Sequence, residues 1–113
     1  MHEYSIVGAL VARVDAEARA RGATAVHRLS VRIGELSGVD INLLAAAYDT
    51  FRERTICDGA ELAIESVPAA WGCPACGDAV QPGLALRCPR CDLPAKLTRG
   101  DEILLDRIEM EVP

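Results

Sequence analysis

The chain has 113 residues, 50% of them hydrophobic and 26% charged, which suits one globular domain with a small appendage and excludes wholesale disorder. Its net charge of −5, with 12 Lys and Arg against 17 Asp and Glu, argues against a nucleic-acid binder, which needs clustered cations for phosphate. No apolar run approaches the ~20 residues that cross a bilayer, so no membrane partner is expected. The opening Met1-His2-Glu3-Tyr4-Ser5 has neither a basic nor an apolar signal region, so the expected location is the cytoplasm, where thiols stay reduced.

Residues 4–21 predict a helix. Ile6, Val7, Leu10, Val11 and Val14 recur at helical spacing, and Gly22 is a plausible stop. Residues 26–34 switch to period two, with Leu29, Val31 and Ile33 facing inward and Arg28, Ser30 and Arg32 outward. His27 falls in phase with the inward set and is expected to be partly buried. Ser37, Gly38 and Asp40 then form a turn and a cap. A second helix follows over 40–54, with Leu43, Leu44, Ala47, Tyr48 and Phe51 on one face. Leu62 and Ile64 mark a short second strand. From Ala69 to Lys96, four prolines (Pro74, Pro82, Pro89, Pro94) and three glycines (Gly72, Gly77, Gly83) predict a segment without regular elements. Residues 102–112 return to strand character, with Leu104, Ile108, Met110 and Val112 in one phase. Ile103 and Leu105 disturb that phase, which predicts a bulge or burial on both faces.

The expected fold class is α+β: two helices on a small three-stranded sheet, with an inserted four-Cys zinc-ribbon-like domain. The expected division is 1–68 plus 99–113 for the α/β domain and 69–98 for the insertion.

Five cysteines in a reduced compartment need an explanation other than disulfides. Four fall in two pairs, Cys73-Pro74-Ala75-Cys76 and Cys88-Pro89-Arg90-Cys91, separated by residues 77–87. A two-residue gap lets both sulfurs reach one ion while backbone N–H groups point at the thiolates. Two such pairs supply the closed tetrahedron of structural Zn(II). Iron in a rubredoxin-like site is the rival, since four thiolates suit either metal. The knuckles are a minority of this chain and Trp71 is their one nearby aromatic, which favours zinc. Arg87 and Arg90 are reasonable partners for the negative sulfur cage. Cys57, unpaired in sequence, reads as a buried structural thiol.

Met1-His2-Glu3 is the second informative place. The terminal amine of Met1, the His2 amide nitrogen and the His2 imidazole can chelate one ion in small fused rings. Planar nitrogen donors suit Ni(II) or Cu(II). Glu3 offers a further donor. A frayed, solvated terminus is the competing reading.

Met1-His2-Glu3-Tyr4-Ser5-Ile6-Val7, then Val31-Arg32-Ile33-Gly34-Glu35-Leu36-Ser37, then the paired Cys-x-x-Cys motifs resemble, in order and over essentially the whole chain, the HypA/HybF family of hydrogenase-maturation nickel chaperones. The resemblance implies a nickel site on the N-terminus and His2, and a structural zinc site on Cys73, Cys76, Cys88 and Cys91. It implies delivery of Ni(II) to the large subunit of a [NiFe]-hydrogenase, together with a HypB-type GTPase. It also suggests that Glu3 orders the site or meets the GTPase, and that Asp40 hydrogen-bonds the His2 side chain, although Asp40 also reads as a helix N-cap. Glu35 reads as an exposed turn residue.

Two other classes stay open at this point: a zinc-stabilised interaction module with an inert N-terminus, and a rubredoxin-like electron carrier. An enzyme is not expected, because no nucleophile–base pair or open catalytic metal set is visible. No G-x-x-x-x-G-K-[ST] loop occurs, so any GTP hydrolysis belongs to a partner. A homodimer is compatible with the sequence.

Overall fold

The computed structural model describes residues 2–83 and 85–113. The elements run α1 (His2–Ala20), β1 (Ala25–Gly34), α2 (Ile41–Phe51), β2 (Glu61–Val67), β3 (Ala70–Gly72), β4 (Ala79–Val80), β5 (Lys96–Arg99) and β6 (Ile103–Glu111). The architecture is the α+β arrangement expected, with two helices and small sheets.

The first sheet has the order β2-β1-β6. β1 runs parallel to β2 and antiparallel to β6. A parallel neighbour requires a crossover, and α2 supplies it. Period-two alternation along β1 buries Leu29, Val31 and Ile33 against Val7, Val11 and Val14 of α1 and Leu44, Ala47 and Tyr48 of α2. The opposite face is charged. Arg28 lies 3.9 Å from Glu61 and 4.0 Å from Glu109, and Arg32 lies 3.3 Å from Glu65 and 3.7 Å from Asp106. These exposed pairs are each worth about 1 kcal/mol or less, so burial on the helix side dominates.

Several side chains depart from the periodic expectation. His27 is exposed, because the pairing of β1 with β6 slips between Val26 and Arg28; Val26 takes the inward place at 4% exposure. The His27 Nε2 instead sits 3.0 Å from Glu111 Oε1. A second slip, between Ser30 and Val31, sets Ser30 opposite Arg107 and Val31 opposite Leu105. This is the bulge expected on the last strand. It turns Leu105 toward the core and leaves Leu104, expected to share the inward phase, exposed. On α2 only Leu44, Ala47 and Tyr48 are buried, while Leu43 and Phe51 stay exposed. The helix also ends at Phe51 rather than at 54.

The segment from 69 to 96 was expected to lack regular elements. It holds β3 and β4, which with β5 at its far end form a second, all-antiparallel sheet in the order β4-β3-β5. Its strands are two to four residues long, short enough to fit between the prolines.

The passages into and out of this second sheet cross the end of β1. Gly34 N donates to Glu102 O at 2.8 Å, Glu35 N to Val67 O at 2.8 Å, and Leu36 N to Gly100 O at 2.6 Å. A Cβ on Gly34 would overlap the Gly100 backbone, and one on Gly100, whose φ is +113°, would overlap Ala69. Glycine is required at both positions by the closeness of the crossing. The molecule measures 55 × 30 × 16 Å with a radius of gyration of 18.0 Å, well above the ~13 Å of a compact chain of this length.

Candidate metal centres

The two cysteine pairs sit at two turns of the second sheet, one after β3 and one ahead of β5. Their local structures repeat each other. Gly77 N donates to Cys73 O at 2.9 Å and Asp92 N to Cys88 O at 2.8 Å. Cys73 N donates to Asp78 O and Cys88 N to Leu93 O, both at 2.9 Å. Gly77 and Asp92 occupy matching left-handed positions, with φ of +77° and +54°. Asp tolerates that region better than most residues with a side chain. Ala75 N and Cys76 N point at Cys73 Sγ from 3.4 and 3.5 Å, and Cys91 N points at Cys88 Sγ from 3.4 Å.

All four sulfurs lie within 4.8 Å of one another. A tetrahedron with Zn–S bonds of about 2.3 Å has edges of about 3.8 Å. The Cys76 Sγ to Cys88 Sγ distance is 3.8 Å. The donor set therefore fits a four-coordinate Zn(II). The thiols also show why a cation belongs there. The Cys76 N–H, aided by that of Ala75, holds the Cys73 thiol below its ordinary range. Cys91 is pushed up, chiefly by its contacts with Cys73 and Cys76. One sulfur ionises readily and the next does so against its neighbours, so four thiolates need a positive centre to coexist.

Little else holds this part of the chain. Besides Cys73 and Cys88, its one buried hydrophobic residue among those described is Val80, with Trp71 and Ala95 half-buried beside it. The two arginines expected near the sulfurs meet carboxylates instead. Arg87 donates to Asp92 Oδ1 at 3.2 Å and to Asp92 O at 2.6 Å. Arg90 lies 3.6 Å from Asp78 Oδ2, an exposed ion pair between the two knuckles.

The second candidate centre lies at the start of α1. Met1, expected to contribute its amine, lies outside the described residues. The His2 side chain is 59% exposed, with Nε2 3.6 Å from Glu3 Oε2. Glu3 is only 7% exposed, the one buried charged residue among those described. Its Oε2 accepts the Asp40 amide at 3.2 Å. That N–H, then the backbone N–H of Glu3 itself, lowers the Glu3 pKa from the ordinary carboxylate value, so the group is anionic at neutral pH. Asp40 performs the capping role read from sequence: its Oδ1 accepts the Leu43 amide at 3.0 Å. Its amide, rather than its carboxylate, reaches the N-terminal pair, and it does so through Glu3. Glu35 is exposed as expected, yet its Oε1 accepts the Ala69 amide at 2.6 Å. That contact, and the Gly34–Gly100 crossing beside it, join segments far apart in sequence and leave no periodic trace.

Cys57 is fully buried, and burial raises its thiol pKa. No helix among the described residues is long and apolar enough to cross a membrane.

The family described as "Hydrogenase/urease nickel incorporation, metallochaperone, hypA" matches residues 1–110. The chain is 36% identical over 113 residues to a hydrogenase maturation factor HypA of Shewanella baltica, covering 98% of this chain and 97% of that one. It is 37% identical over 114 residues to the HypA of Aquifex aeolicus, covering 99% of both. Among solved structures, the fold is similar to a HypA solution structure with a TM-score of 0.81 at 33% identity, over 97% of this chain and 96% of that one. It is also similar to the solution structure of the Ni metallochaperone HypA from Helicobacter pylori, with a TM-score of 0.74 at 33% identity over the full length of both chains.

Proposed function

We propose, from the premise that this chain belongs to the HypA family of hydrogenase and urease nickel-incorporation metallochaperones, that it carries Ni(II) on its first residues and passes it to the large subunit of a [NiFe]-hydrogenase. The observation that carries this reading is an exposed His2 imidazole on the first turn of α1, beside the buried, anionic Glu3 carboxylate. Nickel here is cargo. The Met1 amine, the His2 amide nitrogen and the His2 imidazole give three nitrogens in a plane, a geometry that suits Ni(II) over the tetrahedral preference of Zn(II). Glu3, held by the Asp40 amide, supplies negative charge next to the ion and is the candidate for a further ligand. An open chelate of this kind exchanges its ligands one at a time, which a delivery protein needs and a closed sulfur cage does not offer.

Zinc on Cys73, Cys76, Cys88 and Cys91 then has a structural role, stapling residues 69–98, while 1–68 and 99–113 form the nickel-carrying part. The near absence of aromatics around the sulfurs and a family match that spans the α/β part both favour this reading over a rubredoxin-like carrier. In the cytoplasm a HypB-type GTPase is the partner that supplies nucleotide hydrolysis. The chain itself acts as a carrier and not as an enzyme.

Nickel titration tests the reading. Relative to wild type, His2→Ala should weaken Ni(II) binding by well over the ~10–100-fold seen when an outer-shell partner of a metal ligand is lost. One Gly added ahead of Met1 should do the same, because it displaces the amine while leaving the imidazole. Equal affinity and stoichiometry in both variants would overturn the terminal chelate.

A further inference from the structure

β6 is an outer strand of the first sheet, with β1 on one side and no strand on the other among the described residues. Such an edge offers backbone N–H and C=O groups to any extended chain that arrives, and proteins commonly guard it with charge. The guard here is uneven. Asp106, Arg107, Glu109 and Glu111 protect the second half of β6, whereas the first half reads Ile103-Leu104-Leu105, with Ile103 49% and Leu104 46% exposed.

α1 runs beside this edge, and two clefts open between them. One, of about 270 Å³, is apolar, with Ile6, Ala9 and Leu10 of α1 and Ile103, Leu104 and Leu105 of β6 in its walls. The other, of about 420 Å³, lies between Arg13, Glu17 and Arg21 of α1 and the later residues of β6. Arg13 and Leu105 line both, so the two clefts form one groove. Between Ile6 and Arg21 the helix rises about 22 Å, the span of roughly seven extended residues. The charged end also reverses the sign of the molecule. The chain as a whole carries −5, yet Arg13, Arg21 and Arg107 gather here against Glu17 and Asp106. Glu17 is shared between Arg13 and Arg21, and Asp106 lies 3.7 Å from Arg32. Arg107 pairs with no carboxylate among the described residues.

We propose that the groove between α1 and β6 is a strand-addition site for an extended segment of a partner protein, acidic at one end and apolar at the other. The segment pairs its backbone with the open edge of β6, sets its carboxylates beside Arg13, Arg21 and Arg107, and lays its apolar side chains over Ile6 and Leu10. Backbone pairing supplies affinity, and the order of acidic and apolar side chains supplies specificity. Ile6 is about one helical turn from His2, so a protein held here lies alongside the N-terminal pair. That proximity serves delivery only if the nickel reading above holds. The groove itself is measurable without nickel.

The experiment titrates the full zinc-loaded chain with the peptide acetyl-Glu-Thr-Glu-Thr-Val-Thr-Ile-Thr-Val-amide and follows its backbone amides by NMR. A second peptide carries Lys in place of each Glu. With the first, the amides of residues 103–110 should shift saturably, and the lysine peptide should bind at least about tenfold more weakly. Arg107→Glu should weaken the acidic peptide about tenfold and strengthen the lysine peptide, since one attraction becomes a repulsion in the first case and the reverse in the second. Leu104→Lys, at a side chain already exposed, should weaken both. Three results would overturn the proposal: no saturable shift at these amides, equal binding of the two peptides, or shifts that follow protein concentration alone, which would assign the edge to a second copy of the chain. The nickel reading stands or falls separately, on the His2→Ala titration.

Discussion

The two sheets of this molecule are held together by different physics. Around the first, α1, β1 and α2 bury Val7, Val11, Val14, Leu29, Ile33, Leu44 and Tyr48 almost completely. Around the second, the buried hydrophobic residues among those described are Val80 and two cysteines, and the strands are too short to stand alone. The first is a hydrophobic core in the ordinary sense. The second is a four-sulfur donor set, able to hold a metal ion, with a thin coat of protein. Stability should accordingly be lost in separate ways, by removing apolar volume on one side and by removing an ion on the other.

The largest expected effect is on the sulfur side. Structural zinc in small domains binds with about 10–16 kcal/mol of apparent free energy, most of which is folding free energy. A strong chelator, or Cys73→Ser, should therefore unfold residues 69–98 while the amide dispersion of α1, β1 and α2 survives. NMR and limited proteolysis would read this, with new cleavage confined to that segment. Loss of both parts together would break the contrast and show one cooperative unit. Next comes Leu29→Ala. Leu29 has no exposed surface, and emptying such a site costs about 2–5 kcal/mol. Denaturant titration of the zinc-loaded protein should show that loss in the first sheet, with the metal retained.

The smallest effect is a pH dependence confined to the same side. The pKa values of Cys57 and Tyr48 are both raised, first by burial. The folded state thus keeps protons that the unfolded state releases. Their contribution is whole below the ordinary thiol value of 9.0 and declines as pH climbs above it. Alkaline titration of the unfolding free energy should fall more gently in Cys57→Ala than in the wild type. Parallel curves would show that the thiol's burial does not contribute.

Much of this was readable in one dimension. The helical spacing of Val7, Val11 and Val14, the alternation of Leu29, Val31 and Ile33, and the capping position of Asp40 are local patterns, and local patterns are what a sequence displays. The cysteine pairs were equally plain, because ligand spacing is set by the turn that carries it. His27 and Leu104 were misplaced for a common reason. A slipped register inverts the phase of a strand, and the slip depends on the neighbouring strand rather than on the residues themselves. Leu43 and Phe51 show a related limit: an apolar face can be wider than the surface available to cover it. The Glu35–Ala69 contact and the Asp40–Glu3 contact span 34 and 37 residues. No periodicity could announce them.

Trp71 is the one tryptophan in the chain, and it sits mid-strand in β3, paired with Val80 on one side and Leu97 on the other, packed against the sulfur cluster. The two tyrosines, Tyr4 and Tyr48, are both on the helices of the other part. Excitation at the red edge of indole absorption thus interrogates the cysteine-bearing sheet alone. A label-free fluorimeter could watch that sheet loosen or tighten in real time as a partner or a second ion arrives.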